Sequence, residues 1–106
     1  QQLKESLTIE ERWETYYNLG LINLKNGFLD EALKEMRHGL TLLQKKRNKE
    51  DYTPKHAQIY FKIAHIFFLQ QNFDSCRRHL SYGLDIDPYN LEGMLLLKKL
   101  EAVPKR

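Results

Sequence analysis

Residues 13–44 read WETYYNLGLINLKNGFLDEALKEMRHGLTLLQ, and residues 57–90 read AQIYFKIAHIFFLQQNFDSCRRHLSYGLDIDPYN. In both stretches apolar residues recur at spacings of three and four, as at Tyr60, Ile63 and Phe67. This spacing is typical of helices, because residues three and four apart share one helix face. Strand-like alternation bounded by hairpin turns is absent from the sequence. We therefore predict an all-α fold.

Capping residues and helix breakers divide the chain into five predicted helices. The first four are expected over about 9–25, 29–43, 54–70 and 73–84, and the fifth over about 90–103. Thr8 and Glu11 fit a capping box before the first helix. Pro54 suits the first turn of the third helix, and Asn72 predicts the N-cap of the fourth. The sequence leaves open whether the second helix continues to about residue 49.

The two quoted stretches are copies of one pattern. Aligning Gly20 with Ala64 superposes about one helix pair without gaps. Small residues then coincide at Gly20/Ala64, Ala32/Cys76 and Gly39/Gly83. Large residues coincide at Tyr16/Tyr60, Leu19/Ile63, Leu24/Phe68, Met36/Leu80 and Leu40/Leu84. Small residues allow two helices to approach closely and large ones fill the space between, so the alignment indicates conserved packing between the copies.

This pattern resembles the tetratricopeptide repeat (TPR) family. The first copy matches the family pattern at Tyr16, Leu19, Gly20, Gly27, Leu29, Ala32 and Leu40. The second matches it at Tyr60, Ala64, Phe67, Phe73, Gly83, Leu84 and the Asp87-Pro88 ending. The copies are offset by 44 residues, from Trp13 to Ala57, whereas this repeat usually spans about 34. The longer offset is similar to the branch that includes kinesin light chains.

The resemblance implies TPR-like helical hairpins stacked into a right-handed solenoid, with two repeats and a closing helix. We expect a single domain over 1–106, excised from a larger protein, with repeat 1 at about 9–49, repeat 2 at about 54–87 and the closing helix at about 90–103. Much of the core is predicted to come from Trp13, Tyr16, Leu19, Leu33, Tyr60, Ile63, Phe67, Phe73, Leu80 and Leu84.

In stacked helical hairpins the first helices line a concave surface. The resemblance places two sets of residues on that surface, one turn around from the packing stripe. They are Tyr17, Asn18, Leu21, Leu24 and Lys25 in the first helix, and Phe61, Lys62, His65 and Phe68 in the third. This extra apolar stripe either anchors a partner peptide or packs against a neighbouring repeat or the fifth helix. The sequence leaves both interpretations open.

Catalytic and cofactor-binding motifs are absent from the sequence. It contains no glycine-rich phosphate loop, no nucleophile elbow and no HExxH motif. Cys76 and His79 are three residues apart, but Cys76 falls in the small-residue position that Ala32 fills in the other copy. A zinc site needs three or four converging ligands. We therefore expect no enzyme, no metal and no cofactor.

Charge and composition narrow the class of partner and the compartment. The net charge is +3, from 17 basic and 14 acidic residues, and the segment 45–55 alone accounts for it. Nucleic-acid binding usually needs a broader basic face, so we do not expect it. No apolar run exceeds four residues, whereas a membrane helix needs about 18. With one cysteine, Cys76, the chain suits a reducing compartment, and we expect it in the cytoplasm or nucleus.

These observations predict a non-enzymatic scaffold or adaptor that holds a peptide segment of another protein in the concave groove. Two alternatives stay open: a structural spacer or self-association segment of a longer array, and a nucleic-acid-associated role through the basic connector 45–55. Some TPR domains clamp the acidic C-terminal tail of cytosolic chaperones. The matching positions here are Tyr17, Leu21, Lys62, Glu92 and Leu96. Only Lys62 is basic, so we expect no binding of that tail.

Overall fold

The computed structural model of the chain describes residues 12–45 and 54–104. Within these two ranges it contains five α-helices, namely α1 (Trp13–Lys25), α2 (Leu29–Lys45), α3 (Pro54–Leu69), α4 (Phe73–Ile86) and α5 (Leu91–Glu101). Across these two ranges no residue lies in a β-strand. The all-α prediction is therefore confirmed. Of the helices in these ranges, none is both long enough and apolar enough to cross a membrane.

Side-chain caps fix the starts of the last two helices. The Asn72 side-chain oxygen accepts a hydrogen bond from the Ser75 N–H at 3.4 Å, as predicted for the N-cap of α4. Asn90 caps α5 in the same way, through the Gly93 N–H at 3.1 Å. Each cap satisfies one of the backbone donors that a helix start leaves without a partner. The fourth helix extends to Ile86, two residues beyond the predicted end.

Two of the predicted helix boundaries fall partly outside the described residues. The capping box of Thr8 and Glu11 lies there, and α1 is described from Trp13 with Arg12 as its N-cap. The proposed continuation of the second helix to residue 49 also lies outside, together with most of the basic connector.

The turns inside the two hairpins adopt the same unusual backbone conformation. Gly27 follows α1 with a φ of +85°, and Gln71, its counterpart 44 residues later, has a φ of +64°. Glycine takes positive φ without a steric penalty, whereas a residue with a Cβ pays for it. The second hairpin therefore forms the turn of the first at an energetic cost.

Each helix packs against the next helix along the chain, and α3 also contacts α5. The core consists of the side chains that are almost completely enclosed, namely Ala32, Met36, Leu43, Ala57, Ile59, Phe61, Ile63, Ala64, Ile66, Phe67, Cys76, Leu80, Leu96 and Leu100. Burial agrees at the aligned pairs Ala32/Cys76 and Met36/Leu80, and the pairs Gly20/Ala64 and Gly39/Gly83 are also buried. The small-residue positions predicted from the alignment are thus buried in both hairpins.

The core prediction is wrong at Leu19. This side chain is 40% exposed, although its counterpart Ile63 is completely buried. The difference follows from the order of the helices, because α3 is covered by α2, α4 and α5 whereas α1 packs mainly on α2. Ile63, Phe67 and Leu80 are buried as predicted. The remaining predicted core residues, Trp13, Tyr16, Leu33, Tyr60, Phe73 and Leu84, are partly buried.

Phe61 is a core residue, which corrects its predicted place on the concave surface. Its ring is fully enclosed and lies against two glycines of the following helices. A Cβ atom built on Gly83 of α4 would meet Phe61 Cε1 at 2.5 Å, and one built on Gly93 of α5 would meet the same atom at 2.6 Å. The missing side chains of these glycines therefore make room for the ring where α3, α4 and α5 meet.

Candidate functional site

A groove of about 390 Å³ lies where α1, α3 and α5 approach one another. Its lining residues are Leu24 of α1, Lys62 and His65 of α3, and Leu91, Glu92, Leu95, Leu96 and Lys99 of α5. The first helix of each hairpin and the closing helix thus contribute to one concavity.

Helical spacing explains why α5 supplies most of the lining. Glu92, Leu95, Leu96 and Lys99 follow the i, i+3, i+4, i+7 rule and therefore share one face of the helix. Leu96 is buried against the core, whereas Leu95 is 52% exposed. On this face Leu96 is buried, Leu95 is an exposed apolar wall of the groove, and the charged residues Glu92 and Lys99 lie at the two ends.

An ion pair joins two sides of the groove. Lys62 Nζ lies 2.9 Å from Glu92 Oε2, and both side chains are partly exposed. The carboxylate partly neutralises the lysine, so Lys62 presents less positive charge to a ligand than an unpaired lysine would. Such a partly exposed pair contributes about 0.2–1 kcal/mol to stability.

Tyr17 connects α1 to this charged pair. Burial raises the pKa of Tyr17, the negative charge of Glu92 raises it further, and a side-chain hydrogen bond from Gln58 opposes the rise. The ring also packs edge-on against Trp13, with the ring centroids 5.8 Å apart. Tyr17 is therefore a neutral phenol that contributes ring surface and hydrogen bonding at this place.

His65 is held in its neutral form within the groove. Burial lowers its pKa, the charges of Lys99 and Lys62 lower it further, and Glu92 acts in the opposite direction. Near neutral pH the ring is thus an apolar and hydrogen-bonding surface rather than a cation. Lys99 is exposed and, of the two lysines that line the groove, is the one outside the ion pair with Glu92.

The structure brings together some of the nine predicted partner-binding residues and separates others. Leu24, Lys62 and His65 line the groove. Tyr17 and Leu21 are half-buried and pack against the core. Asn18 and Lys25 are exposed on α1.

The two phenylalanines of the prediction serve packing. Phe61 is enclosed beneath the surface, as described above. Phe68 packs edge-on against Phe73, the first residue of α4, with the ring centroids 5.5 Å apart. Neither phenylalanine lines the groove, whose apolar lining residues are leucines.

None of the groove residues on α5 was included in the predicted partner-binding set. Leu91, Leu95 and Lys99 line the groove and were not included. The order of the helices carries the signal, because α5 follows two helical hairpins as a closing helix. A helix in that position can line the same concave surface as α1 and α3.

Two groups that could carry chemistry are arranged for packing. Cys76 is fully buried, and burial raises the pKa of its thiol to about 11. His79 directs Nδ1 to the Ser75 carbonyl oxygen at 2.8 Å and stacks on Phe67. Within residues 12–45 and 54–104, no three side chains from His, Cys, Asp and Glu are grouped closely enough to hold a metal ion.

Comparisons with protein-family models and with curated protein sequences found no match to this chain.

Proposed function

We propose that the chain is a non-enzymatic interaction domain that binds a peptide segment of another protein in the groove between α1, α3 and α5. The observation that carries the proposal is the exposed apolar wall on α5. Leu91 is 71% exposed and Leu95 is 52% exposed, and both line the groove. Large apolar side chains that remain accessible in a concave site favour a protein or peptide partner.

The architecture expected from the TPR resemblance agrees with this proposal. Successive helices pack as neighbours, and the aligned pairs Ala32/Cys76 and Met36/Leu80 are buried in both hairpins. Both features are typical of stacked helical hairpins, in which each unit contacts mainly the next one. We therefore propose that α1, α3 and α5 are the first helices of successive units in a right-handed solenoid.

The chemistry of the groove suggests the kind of peptide. Leu24, Leu91 and Leu95 offer apolar surface, which suits an aliphatic or aromatic anchor residue. Lys99 adds a positive charge, whereas Lys62 is already paired with Glu92. We propose a ligand with an apolar anchor and at most one acidic residue beside it, rather than a strongly acidic tail.

A second candidate function is self-association or a place within a longer array. It is supported by the outer face of α5, where Met94 and Leu97 are exposed in addition to the groove leucines. Such a face would suit the packing of another repeat. Light scattering over a range of protein concentrations distinguishes the two functions, because a spacer that self-associates gains mass and a peptide-binding monomer does not.

The experiment that tests the peptide proposal is a selection of peptides from a random display library on the immobilised domain. A groove ligand should yield peptides that share an apolar anchor. Their binding should be lost in Leu95→Glu, which places a charge on the groove wall. Met94→Glu is the matched control, because Met94 is the neighbouring residue and is similarly exposed but does not line the groove. Circular dichroism would show that both variants remain helical.

A further inference from the structure

A second pocket lies on another side of α3. It has a volume of about 290 Å³ and is lined by Tyr60 of α3 and by Tyr82, Asp85 and Ile86 of α4. Tyr60 precedes the groove residue Lys62 by two positions, which places the two side chains about 200° apart around the helix. The pocket and the groove are therefore separate sites.

Two tyrosine rings form the aromatic part of this pocket. Tyr60 and Tyr82 lie with their centroids 5.4 Å apart and their planes at 62°. Gln44 of α2 donates a hydrogen bond from its side-chain amide to the Tyr60 hydroxyl at 3.2 Å. His79 packs edge-on against Tyr82 from within the protein, at 5.7 Å. The rings are thus positioned by neighbours on α2 and α4, and Tyr82 remains 45% exposed.

Negative charge is concentrated at the same place. Asp85 lines the pocket, and Ile86 beside it is the last residue of α4, where the carbonyl groups give a helix its partial negative charge. The last turn of α4, which the structure describes completely, contains no basic residue. The last turn of α3 also lacks one, whereas α1 and α5 carry Lys25 and Lys98 in their last turns. The end of α4 therefore lacks a cation of its own.

The chain already shows how its aromatic rings hold a guanidinium group. Arg37 of α2 places its guanidinium carbon 5.6 Å from the centroid of the Phe67 ring. Arginine favours such positions because its planar cation is weakly hydrated and stacks on ring faces, while its N–H groups can still bond a carboxylate. A pocket with two tyrosine rings and Asp85 offers both kinds of contact.

We propose that the pocket formed by Tyr60, Tyr82, Asp85 and Ile86 binds an arginine side chain of a partner protein. The guanidinium group lies over the face of one tyrosine ring, beside the other, and donates hydrogen bonds to the Asp85 carboxylate. This interaction is independent of the groove. A partner could therefore contact the domain at two places, with an apolar anchor in one and an arginine in the other.

The test is a nuclear magnetic resonance titration of the ¹⁵N-labelled chain with a short blocked peptide, acetyl-Gly-Arg-Gly-amide. We expect saturable chemical-shift changes at the backbone amides of Tyr82, Asp85 and Ile86. The same peptide with citrulline, an uncharged analogue of arginine, should cause no saturable change. Equal binding of the citrulline peptide, or changes confined to the groove, would overturn the proposal. Equal binding of a third peptide, with lysine in place of arginine, would overturn the assignment to arginine.

Single substitutions distinguish the contribution of the Tyr82 ring to arginine binding from that of the Asp85 carboxylate. Tyr82→Leu and Asp85→Asn should each weaken binding about five-fold, the effect of losing about 1 kcal/mol of cation–π or charge interaction. Tyr82→Phe should retain affinity, because the ring face is kept. Tyr89→Leu is the matched control, since Tyr89 is 86% exposed and does not line the pocket. Unchanged affinity in Tyr82→Leu would contradict the proposal. Leu95→Glu should leave binding intact, which distinguishes this site from the groove.

Discussion

Lys62 Nζ and Glu92 Oε2 lie 2.9 Å apart, so a residue of α3 and a residue of α5 form an ion pair in the wall of the groove. The pair connects the second hairpin to the closing helix. It also reduces the positive charge that the groove offers to a ligand, so the groove should bind strongly acidic peptides weakly.

The first prediction concerns acidic peptides. We expect the wild-type chain to bind a peptide with an acidic C-terminal tail more weakly than micromolar, because Lys62 is already paired. Glu92→Gln should strengthen binding by about 1.4- to five-fold, since it releases an interaction of about 0.2–1 kcal/mol. Isothermal titration calorimetry measures both. Glu101→Gln is the control, because it changes the net charge equally at an exposed residue near the end of α5. Micromolar binding by the wild type would contradict the prediction.

The second prediction concerns the enclosed ring of Phe61. Gly83→Ala should lower the free energy of unfolding by about 1–3 kcal/mol, because the added methyl group would overlap the ring. The sign is informative, since replacing glycine by alanine inside a helix ordinarily stabilises by about 0.5–1 kcal/mol. Urea denaturation measures the change. Gly20→Ala is the control and should cost less, because its new methyl group meets the flexible side chain of Met36. Equal stability of Gly83→Ala and wild type would show that the ring is not confined.

The third prediction concerns the strained turn at Gln71. Gln71→Gly should raise the free energy of unfolding by about 1 kcal/mol, because a residue with a Cβ pays about 1–2 kcal/mol in this conformation and the greater freedom of glycine in the unfolded chain offsets part of the gain. Thermal denaturation followed by circular dichroism measures it. Gln70→Gly should destabilise, since Gln70 has negative φ and donates a hydrogen bond to Asp30 at 2.9 Å. A loss of stability in Gln71→Gly would contradict the account.

The fourth prediction concerns acid. Burial is the largest cause that lowers the pKa of His79, followed, in the same direction, by the charges of Arg37 and Arg78, while the hydrogen bond to Ser75 opposes it. Over a range of acidic pH, His79 is therefore protonated in the unfolded chain while it remains neutral in the folded chain. The contribution to stability is complete above the ordinary histidine pKa of about 6.5 and is lost as the pH falls below it.

His79→Phe should reduce this pH dependence, because phenylalanine can pack among the same rings without ionising. The measurement is the free energy of unfolding of both proteins at about pH 7.5 and about pH 5.5, on either side of the histidine pKa. Identical slopes would show that His79 takes no part. His65, whose pKa is lowered mainly by burial, should account for part of the remaining slope.

The sequence predicted the fold where local signals and packing agree. The helix boundaries at Asn26-Gly27, Pro54, Asn72 and Asn90 follow from capping and proline chemistry, and all of them are present. The alignment of the copies predicted buried small residues because close helix contacts exclude side chains. Gln71 shows the limit, since the same turn forms without the glycine that would identify it.

The site was harder to predict, because exposure depends on which helix covers another. Leu19 and Ile63 occupy the same repeat position, but only Ile63 is covered on every side. Phe61 lies at a position predicted to be on the concave surface. It is buried instead, because two glycines on later helices leave room for its ring. The sequence pattern of α3 alone could not predict this, because the space for the ring depends on glycines in α4 and α5. The groove residues of α5 could have been included by treating that helix as equivalent to α1 and α3.

The most direct test of the central claim is the affinity of a peptide, selected on the wild-type domain, for Leu95→Glu and for Met94→Glu. Fluorescence anisotropy of the labelled peptide gives both dissociation constants. The groove account predicts that Met94→Glu binds like wild type and that Leu95→Glu binds at least about ten-fold more weakly, because a charge would face the buried apolar anchor. Equal affinity of the two variants, with both folded, would contradict peptide binding in the groove.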